Sequence, residues 1–149
     1  MVNNISPFTF SLKEVFMTLD LSVFEKALNN LKLSIEAYKN DSKNDMIRDS
    51  VIQRFEYTYS FTLKIMERFL RESSINKEDV FTFNSLIRTA SQNNLLLGNL
   101  ENWDVYRKKR NMTSHTYDEK KALEVISIMD DFIKEVEFLL NKLKEHNAD

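Results

Sequence analysis

The stretch MIRDSVIQRFEYTYSFTLKIMERFLRES, residues 46–73, contains neither glycine nor proline and repeats its apolar residues at helical spacing. Steps of three and four residues return to the same face of an α-helix. One side of the predicted helix carries Ile52, Phe55, Tyr59, Leu63, Met66 and Leu70, and a second row widens it with Val51, Phe61, Ile65 and Phe69. This broad apolar face predicts the central helix of a bundle.

The composition also favours an all-α fold. The 149 residues include one glycine and one proline, whereas the hairpins of a β protein need more of both. Hydrophobic residues make up 42% and charged residues 30% of the chain, which is typical of a globular domain rather than a disordered segment. The length is that of a single domain with a real core.

Residue counts disfavour several classes of protein. Because cysteine is absent, a disulfide framework and a thiolate metal site are excluded, and a reducing cytoplasmic location is expected. The net charge of −2 argues against general binding of polyanions, so any contact with nucleic acid must come from a local patch. No apolar run approaches the roughly 20 residues that span a bilayer, and the N-terminus lacks a signal-peptide pattern, so no membrane partner is expected.

Four further helices are predicted around the central one. They begin near residue 22, near residue 77 with Asn76 as the cap, near Leu100, and near residue 117. The third helix of the chain is expected to stop at Asn93–Asn94, because asparagine tolerates the left-handed conformation that closes a helix. Short loops between long helices indicate an up-and-down antiparallel bundle of four to five helices.

The chain divides into three parts on this reading. Residues 22–145 are predicted to form the single bundle domain. Residues 1–21 have weak periodicity and the only proline, so an N-terminal extension or a strap on the bundle is expected there. Residues 146–149 are expected to be a frayed tail.

The stretch RKKRNMTSHTYDE, residues 107–119, brings together the residue types most suited to chemistry. Thr116 and Glu119 have the spacing of a capping box, which places His115 just before the start of the last predicted helix. Unpaired N–H groups and the helix dipole favour anions at such a position. The pattern therefore predicts a neutral histidine facing a phosphate.

A basic cluster precedes that turn, formed by Arg107, Lys108, Lys109 and Arg110. Arg110 and His115 are five residues apart, so in a straight helix their side chains would point in directions roughly 140° apart around the helix axis. The helix must therefore end between them, or the two side chains meet through a second copy of the protein. A purely structural reading also stays open, because cations commonly end a helix and a histidine in a turn is more often structural.

The run RNMTSHTYDE, residues 110–119, with Trp103 seven residues before Arg110, resembles the signature of the HEPN superfamily. More narrowly, the chain resembles the nucleotidyltransferase substrate-binding proteins, the HepT-like partners of minimal nucleotidyltransferases. The specific pattern is arginine, four residues, histidine, one residue, tyrosine. The resemblance covers roughly residues 22–143, and RDSVIQRFEYTYSFTLK and IRTASQNNLL, at 48–64 and 87–96, are also similar.

The resemblance implies a homodimeric, metal-independent endoribonuclease that needs no cofactor and acts on RNA. His115 would serve as general base or acid, Arg110 would stabilise charge on the phosphorane, and Asn111 would orient the histidine or hold the phosphate. Further phosphate and RNA contacts are expected from Arg107, Lys108 and Ser114.

The resemblance also implies a partner. The protein would be a toxin, and a minimal nucleotidyltransferase would restrain it, in part by attaching AMP to Tyr117. Two alternatives stay open: a non-catalytic adaptor that binds the substrate or nucleotide of the transferase, and a helical dimer without enzymatic activity.

Three residues depart from the family's pattern. Similar proteins usually have glutamate where Ser60 stands, tryptophan where Leu63 stands and glycine where Asn94 stands. Leu63 is expected to be a packing change, and Asn94 can replace glycine for backbone reasons. Ser60 alters the polar character of the expected site.

Overall fold

The computed structural model describes residues 20–73 and 81–148, and within these ranges every regular element is helical. The elements are α1 (Ser22–Asn40), α2 (Asp45–Glu72), α3 (Phe83–Gln92), α4 (Leu100–Met112), a 3-10 turn (Thr113–His115), α5 (Glu119–Ile126) and α6 (Met129–Ala148). The prediction of an all-α fold is confirmed. The structure describes six helices where five were predicted, because the last predicted helix is divided in two.

Helix α2 occupies the centre of the fold, as its apolar pattern predicted. It begins where the Asn44 side chain accepts the backbone N–H groups of Met46 and Ile47. It then runs for 28 residues and lies against α1, α3, α4 and α5. Val51, Phe55 and other members of its apolar face are fully buried.

Aromatic side chains join α2 to two later helices. The ring of Phe55 meets that of Phe132 on α6 edge-on, with the centroids 5.0 Å apart. Tyr106 on α4 stacks edge-on against Phe132 at 5.3 Å and against the fully buried Trp103 at 5.3 Å. Edge-to-face pairs of this kind add to the stabilisation from burial, so this cluster fixes α4, and the turn that follows it, relative to α2.

The ends of α3 differ in how well the sequence predicted them. Asn94 has a φ of 60°, and Leu95 N–H donates to the carbonyl of Ala90, which confirms the predicted end. The described start of α3 is at Phe83, with Thr82 as its cap, and residue 77, where the start was predicted, lies outside the described residues. The Thr82 hydroxyl accepts from Ser85 N–H while the Ser85 hydroxyl accepts from Thr82 N–H. Asn76, the predicted cap, lies outside the described residues.

The last predicted helix is corrected at its start. Helix α5 begins at Glu119 with Asp118 as its cap, because the Asp118 carboxylate accepts Lys120 N–H at 3.0 Å. Thr116 instead donates its hydroxyl to the Thr113 carbonyl, so the predicted capping box is wrong.

The same predicted helix is also interrupted. The chain leaves helical geometry at residues 127–128, where the Ser127 hydroxyl donates to the Glu124 carbonyl at 2.6 Å. Serine competes in this way for backbone partners that a helix would otherwise use. Helix α6 then begins at Met129.

The structure describes most of the predicted C-terminal tail and little of the predicted N-terminal extension. Helix α6 continues as far as Ala148, so most of the tail predicted at 146–149 is helical. The ring of His146 lies 5.0 Å from that of Phe69, edge-on. The extension or strap predicted for residues 1–21 lies outside the described residues, apart from Asp20 and the buried Leu21.

Within the described ranges no helix combines the length and the apolar character needed to cross a membrane.

Candidate functional site

Arg110 is held in place at the end of α4 by contacts with α2 and with the turn. Its Nη1 lies 3.5 Å from Oε2 of Glu56, and both side chains are about one-third exposed. The same Nη1 donates to Oγ1 of Thr113 at 3.2 Å, and the Thr113 hydroxyl donates to the Arg110 carbonyl at 2.7 Å. Because Thr113 is buried, this pair of bonds ties the guanidinium to a rigid part of the fold.

The Arg110 side chain borders a groove along α2, which we call the Ser60 groove. It has a volume of about 380 Å³ and is lined by Gln53, Glu56, Tyr57, Ser60, Phe61, Lys64 and Arg110. Two cationic side chains, Lys64 and Arg110, face one carboxylate, Glu56. A glutamate at position 60 would add a second carboxylate, so serine leaves this groove more receptive to an anion.

A second groove, the Tyr117 groove, adjoins the first. It has a volume of about 360 Å³ and is lined by Arg48, Asp49, Ile52, Gln53, Glu56, Thr113, Thr116 and Tyr117. Gln53 and Glu56 line both grooves. The ion pair between Glu56 and Arg110 therefore stands where the two grooves meet.

His115 ends the 3-10 turn and is exposed. Its Nδ1 lies 3.4 Å from the hydroxyl oxygen of Tyr117, and the two rings approach edge-on at 6.0 Å. Tyr117 is 86% exposed, which suits a side chain reached by a partner or by substrate.

The turn separates the two residues of the predicted pair. Helix α4 ends at Met112, between Arg110 and His115, which is the first of the two predicted alternatives, but this end does not bring the two side chains together. Arg110 contacts Glu56 and Thr113, whereas His115 contacts Tyr117. The structure thus brings His115 and Tyr117 together, and it directs Arg110 toward α2.

The other predicted site residues lie around the same turn. Asn111 and Ser114 are exposed, and the Ser114 hydroxyl donates to the Asn111 carbonyl at 3.4 Å. Arg107 and Lys108 both pair with Asp104, at 3.5 and 3.0 Å. The guanidinium of Arg107 also lies 4.7 Å above the ring of Phe83. Both basic side chains are exposed but already have acidic neighbours.

Tyr59 is a buried phenol near the two arginines of α4. Burial raises its pKa to about 12, while the positive charges of Arg107 and Arg110 act in the opposite direction. The phenol therefore remains protonated near neutral pH and supports the core beneath the site, rather than acting as a base.

Sequence reasoning missed Glu56 and Thr113, the two side chains that hold Arg110. Glu56 follows the buried Phe55 at the edge of the apolar face of α2, which was the only local signal. Nothing in the sequence connects position 56 with position 110, since that contact exists only once α4 packs against α2.

A metal site finds no support in the residues that the structure covers. Among residues 20–73 and 81–148, there is no group of three or more histidine, aspartate, glutamate or cysteine side chains able to hold a metal ion.

Comparison with known proteins identifies the family. A family model matches residues 19–145, which is most of the chain. The family is described as "nucleotidyltransferase substrate binding protein like". The chain belongs to the nucleotidyltransferase substrate-binding protein family. The resemblance that the sequence motif indicated is thereby confirmed.

One relative of this protein is a Haemophilus influenzae protein named a probable ribonuclease HepT. It is 34% identical over 139 residues, which cover 87% of this chain and 94% of the relative.

Two solved structures share the fold. A Haemophilus influenzae protein, described as having the fold of a substrate-binding domain of a nucleotidyltransferase, superposes with a TM-score of 0.77 at 33% identity. The match covers 84% of this chain and 99% of that one. A Thermus thermophilus protein superposes with a TM-score of 0.68 at 29% identity, covering 81% of this chain and 98% of the other.

Proposed function

We propose that this protein is the toxin of a toxin–antitoxin pair: a metal-independent endoribonuclease that works as a cytoplasmic homodimer without a cofactor. The observation that carries the proposal is the turn Thr113–His115, which holds Arg110 at the edge of the Ser60 groove and sets His115 beside Tyr117. The relative named a probable ribonuclease HepT supports the same activity.

The chemistry requires one base, one acid and a group that stabilises negative charge. The base takes the proton of an RNA 2′-hydroxyl as its oxygen bonds to the neighbouring phosphorus, and the acid protonates the 5′-oxygen as its bond to phosphorus breaks. Histidine can fill either role near neutral pH, so two copies of His115 in a dimer divide them. Arg110 stabilises the charge that grows on the phosphorane oxygens.

The remaining predicted residues act on the RNA chain. Asn111 orients the imidazole or holds the phosphate, and Ser114, Arg107 and Lys108 bind neighbouring phosphates. Their exposure supports these roles. Because Arg107 and Lys108 share Asp104, their contribution is expected to be smaller than that of Arg110.

A two-fold dimer would bring together the arginine and the histidine that a single chain holds apart. Within one chain Arg110 and His115 have different partners. A symmetric copy packed over the grooves would bring the arginine of one subunit toward the histidine of the other. The active cleft in this proposal is formed by both subunits.

Regulation is proposed to occur at Tyr117 through the cognate nucleotidyltransferase. The phenol oxygen attacks the α-phosphorus of ATP, an O–P bond forms, pyrophosphate leaves, and the phenol proton passes to solvent. Tyr117 is exposed and within 3.4 Å of His115, so an added AMP would obstruct the cleft. The family's description, nucleotidyltransferase substrate-binding protein like, supports a nucleotidyltransferase as the partner.

The test is cleavage of RNA by the purified protein in EDTA. His115→Ala and Arg110→Ala are each expected to lower the rate by at least about a hundredfold. Arg71→Gln is the matched control, because Arg71 pairs with Glu67 on α2 and lines neither groove. Equal cleavage by the wild type and both site variants would contradict the proposal.

A second candidate function is a non-catalytic adaptor subunit. It is favoured by the related structure described as a substrate-binding domain of a nucleotidyltransferase. In that case the same grooves bind the nucleotide or the substrate of the transferase. Co-purification with the transferase, together with no cleavage by the free protein, would support the adaptor over the nuclease.

A further inference from the structure

We propose that residues 1–19 dock against the bundle of their own chain, in an apolar groove between the start of α1 and the second half of α2. We call this groove the Val23 groove. It has a volume of about 310 Å³ and is lined by Asp20, Val23, Phe24, Phe61, Lys64, Ile65 and Arg68. This inference goes beyond the proposed function and does not depend on ribonuclease activity.

The lining of the Val23 groove is apolar with charged side chains among it. Val23 is 54% exposed, although it is a large apolar side chain, and Phe61 and Ile65 are half-buried. Lys64 and Arg68 are exposed and stand four residues apart on the same face of α2. Exposed apolar surface bordered by charged groups commonly marks a site where another polypeptide segment binds.

The segment that precedes the described residues has the composition to fill this groove. The family model begins at residue 19, so residues 1–18 lie outside the part of the chain that the family shares. Their apolar side chains include Phe8, Phe10, Leu12, Val15, Phe16 and Met17. Removing such side chains from water is favourable, and an uncovered apolar groove offers the surface on which to do so.

The segment also ends at the groove. Asp20, the first described residue, is part of the lining. Its Oδ1 accepts the N–H of Ser22 at 2.9 Å and the Ser22 hydroxyl at 2.6 Å, so the entry into α1 is fixed beside the groove. The α2 side of the groove, from Phe61 to Arg68, is roughly 10 Å long, which about three or four extended residues cover. Residues 15–19 are therefore within reach of the whole groove.

Attachment at Asp20 favours the segment of the same chain over that of a second copy. A segment tethered at the edge of its site has an effective concentration there on the order of millimolar, well above that of a dilute protein. Charge complementarity acts in the same direction. Among residues 20–73 and 81–148, Lys64 forms no ion pair, and Glu14 is the one carboxylate side chain in residues 1–19.

Docking in the Val23 groove would place the segment next to the Ser60 groove. Phe61 and Lys64 line both grooves. Docked residues would therefore border one end of the groove that Arg110 lines, and they would narrow the approach to it from that end.

The test is a spin label on the full-length protein, read by NMR. Because the chain contains no cysteine, Ser11→Cys accepts a single nitroxide, and backbone amides near the nitroxide lose signal intensity. The largest loss is expected at Val23, Ile65 and Arg68. A nitroxide at Lys43→Cys, in the exposed turn beyond the other end of α1, is the control and is expected to leave those three amides at full intensity.

Val23→Glu tests the groove itself. An added carboxylate is compatible with the first turn of a helix, but it places a charge where the apolar segment would dock. Most of the loss at Ile65 and Arg68 caused by the nitroxide at position 11 is expected to disappear in this variant. Leu33→Glu is the matched control, since Leu33 is an exposed apolar residue of α1 that lines a different groove, and it is expected to leave the loss unchanged. The amide spectrum shows whether each variant is folded.

Four results would overturn the docking of residues 1–19. One is full intensity throughout the Val23 groove. Another is a loss centred on a different surface, such as that around Leu33 and Met46. The third is an equal loss in the wild type and in Val23→Glu, which would mean that the tether alone brings the nitroxide near. In the fourth, spin-labelled chains are mixed with isotope-enriched chains that carry no nitroxide, and a loss at the groove of the enriched chains would assign the segment to a second copy.

Discussion

Glu56 on α2 and Arg110 on α4 form an ion pair across the junction of the two grooves, with Oε2 and Nη1 3.5 Å apart. The carboxylate has two opposing effects. It holds the guanidinium against α2 beside the Ser60 groove, and it would also compete with a phosphate for the same donors. Thr113 contributes a second, neutral contact that would remain without the glutamate.

Replacing Glu56 by glutamine is expected to separate these two effects in RNA cleavage. The KM for RNA should fall, because the competing charge is gone, and kcat should fall by about tenfold, because Arg110 is held less firmly. The free energy of unfolding should change by less than about 1 kcal/mol, since both partners are partly exposed. Steady-state kinetics and urea unfolding measure the three quantities.

Glu67→Gln is the matched control for that experiment. Glu67 also lies on α2 and pairs with an arginine, Arg71, but it lines neither groove. Kinetic constants that change equally in the two variants would assign the effect of Glu56→Gln to overall charge.

Glu135 holds the connector before α4 and should give the protein a pH-dependent stability. The residue is 2% exposed, and its carboxylate accepts the N–H groups of Leu97 and Gly98 at 2.7 and 2.8 Å. Burial raises its pKa above the usual glutamate value, although the backbone donors act against the shift.

The sign of this effect follows from proton linkage. Because the folded state holds the proton more tightly, the contribution of Glu135 to stability is fully present below the usual glutamate pKa and decreases as pH rises through the raised folded value. Glu135→Gln should remove this dependence. It should also lower stability at neutral pH by about 1–3 kcal/mol, since the amide nitrogen would face a backbone N–H. Urea unfolding across the acid-to-neutral range measures both, and identical pH dependence in the variant would contradict the assignment.

Gly98 is required by the close approach of the connector to Glu135. A Cβ built at this position would lie 2.7 Å from Oε1 of Glu135 and 2.8 Å from Oδ1 of Asn102. Both oxygens accept backbone N–H groups, from Gly98 and Asn99, so neither can move freely. Gly98→Ala is expected to lower the free energy of unfolding by about 1–3 kcal/mol, measured by urea unfolding. An unchanged stability would show that the connector can move away.

Asn94 is expected to tolerate glycine better than alanine. Its φ of 60° lies in the left-handed region, which glycine adopts freely and which costs other residues roughly 1–2 kcal/mol. Thermal unfolding should therefore rank Asn94→Gly at or above the wild type and Asn94→Ala below it. The reverse order would mean that the side chain of Asn94, rather than its backbone, matters at this position.

The proposed cleft predicts a dimer in solution. Light scattering at micromolar protein should give twice the mass of the 17.7 kDa chain. A mixing experiment sharpens this prediction: subunit exchange between the wild type and an excess of His115→Ala gives heterodimers with one His115, and these are expected to lose most of the activity because the mechanism uses two. A loss larger than the dilution of wild-type chains requires that one cleft uses residues of both subunits, whereas activity in proportion to the wild-type chains would favour sites within single chains.

The helical periodicity of residues 46–73 was sufficient to predict the central helix, because apolar spacing is a local property that survives packing. The same is true of the end of α3 at Asn94, where one residue's backbone preference determines the geometry. The family was likewise readable from the short run around Arg110, His115 and Tyr117.

Sequence patterns predicted the wrong helix boundary where two nearby residues could each have formed it. Thr116 and Asp118 are both good helix caps, and the sequence alone favoured Thr116. In the structure the Thr116 hydroxyl is used inside the 3-10 turn, which leaves Asp118 to cap α5. The break at Ser127 was missed for a related reason, since serine is compatible with both a helix and a turn.

The sequence by itself determined the helical class, the central helix and the identity of the residues around the turn. Only the tertiary structure decided that Glu56 meets Arg110 and that Arg48 shares a groove with Tyr117. These pairs are separated by more than fifty residues in the chain, and their proximity depends on how α4 and its turn pack against α2. Helical periodicity specifies which face of each helix is buried, but the partner of each polar side chain at the edge of that face is set by packing.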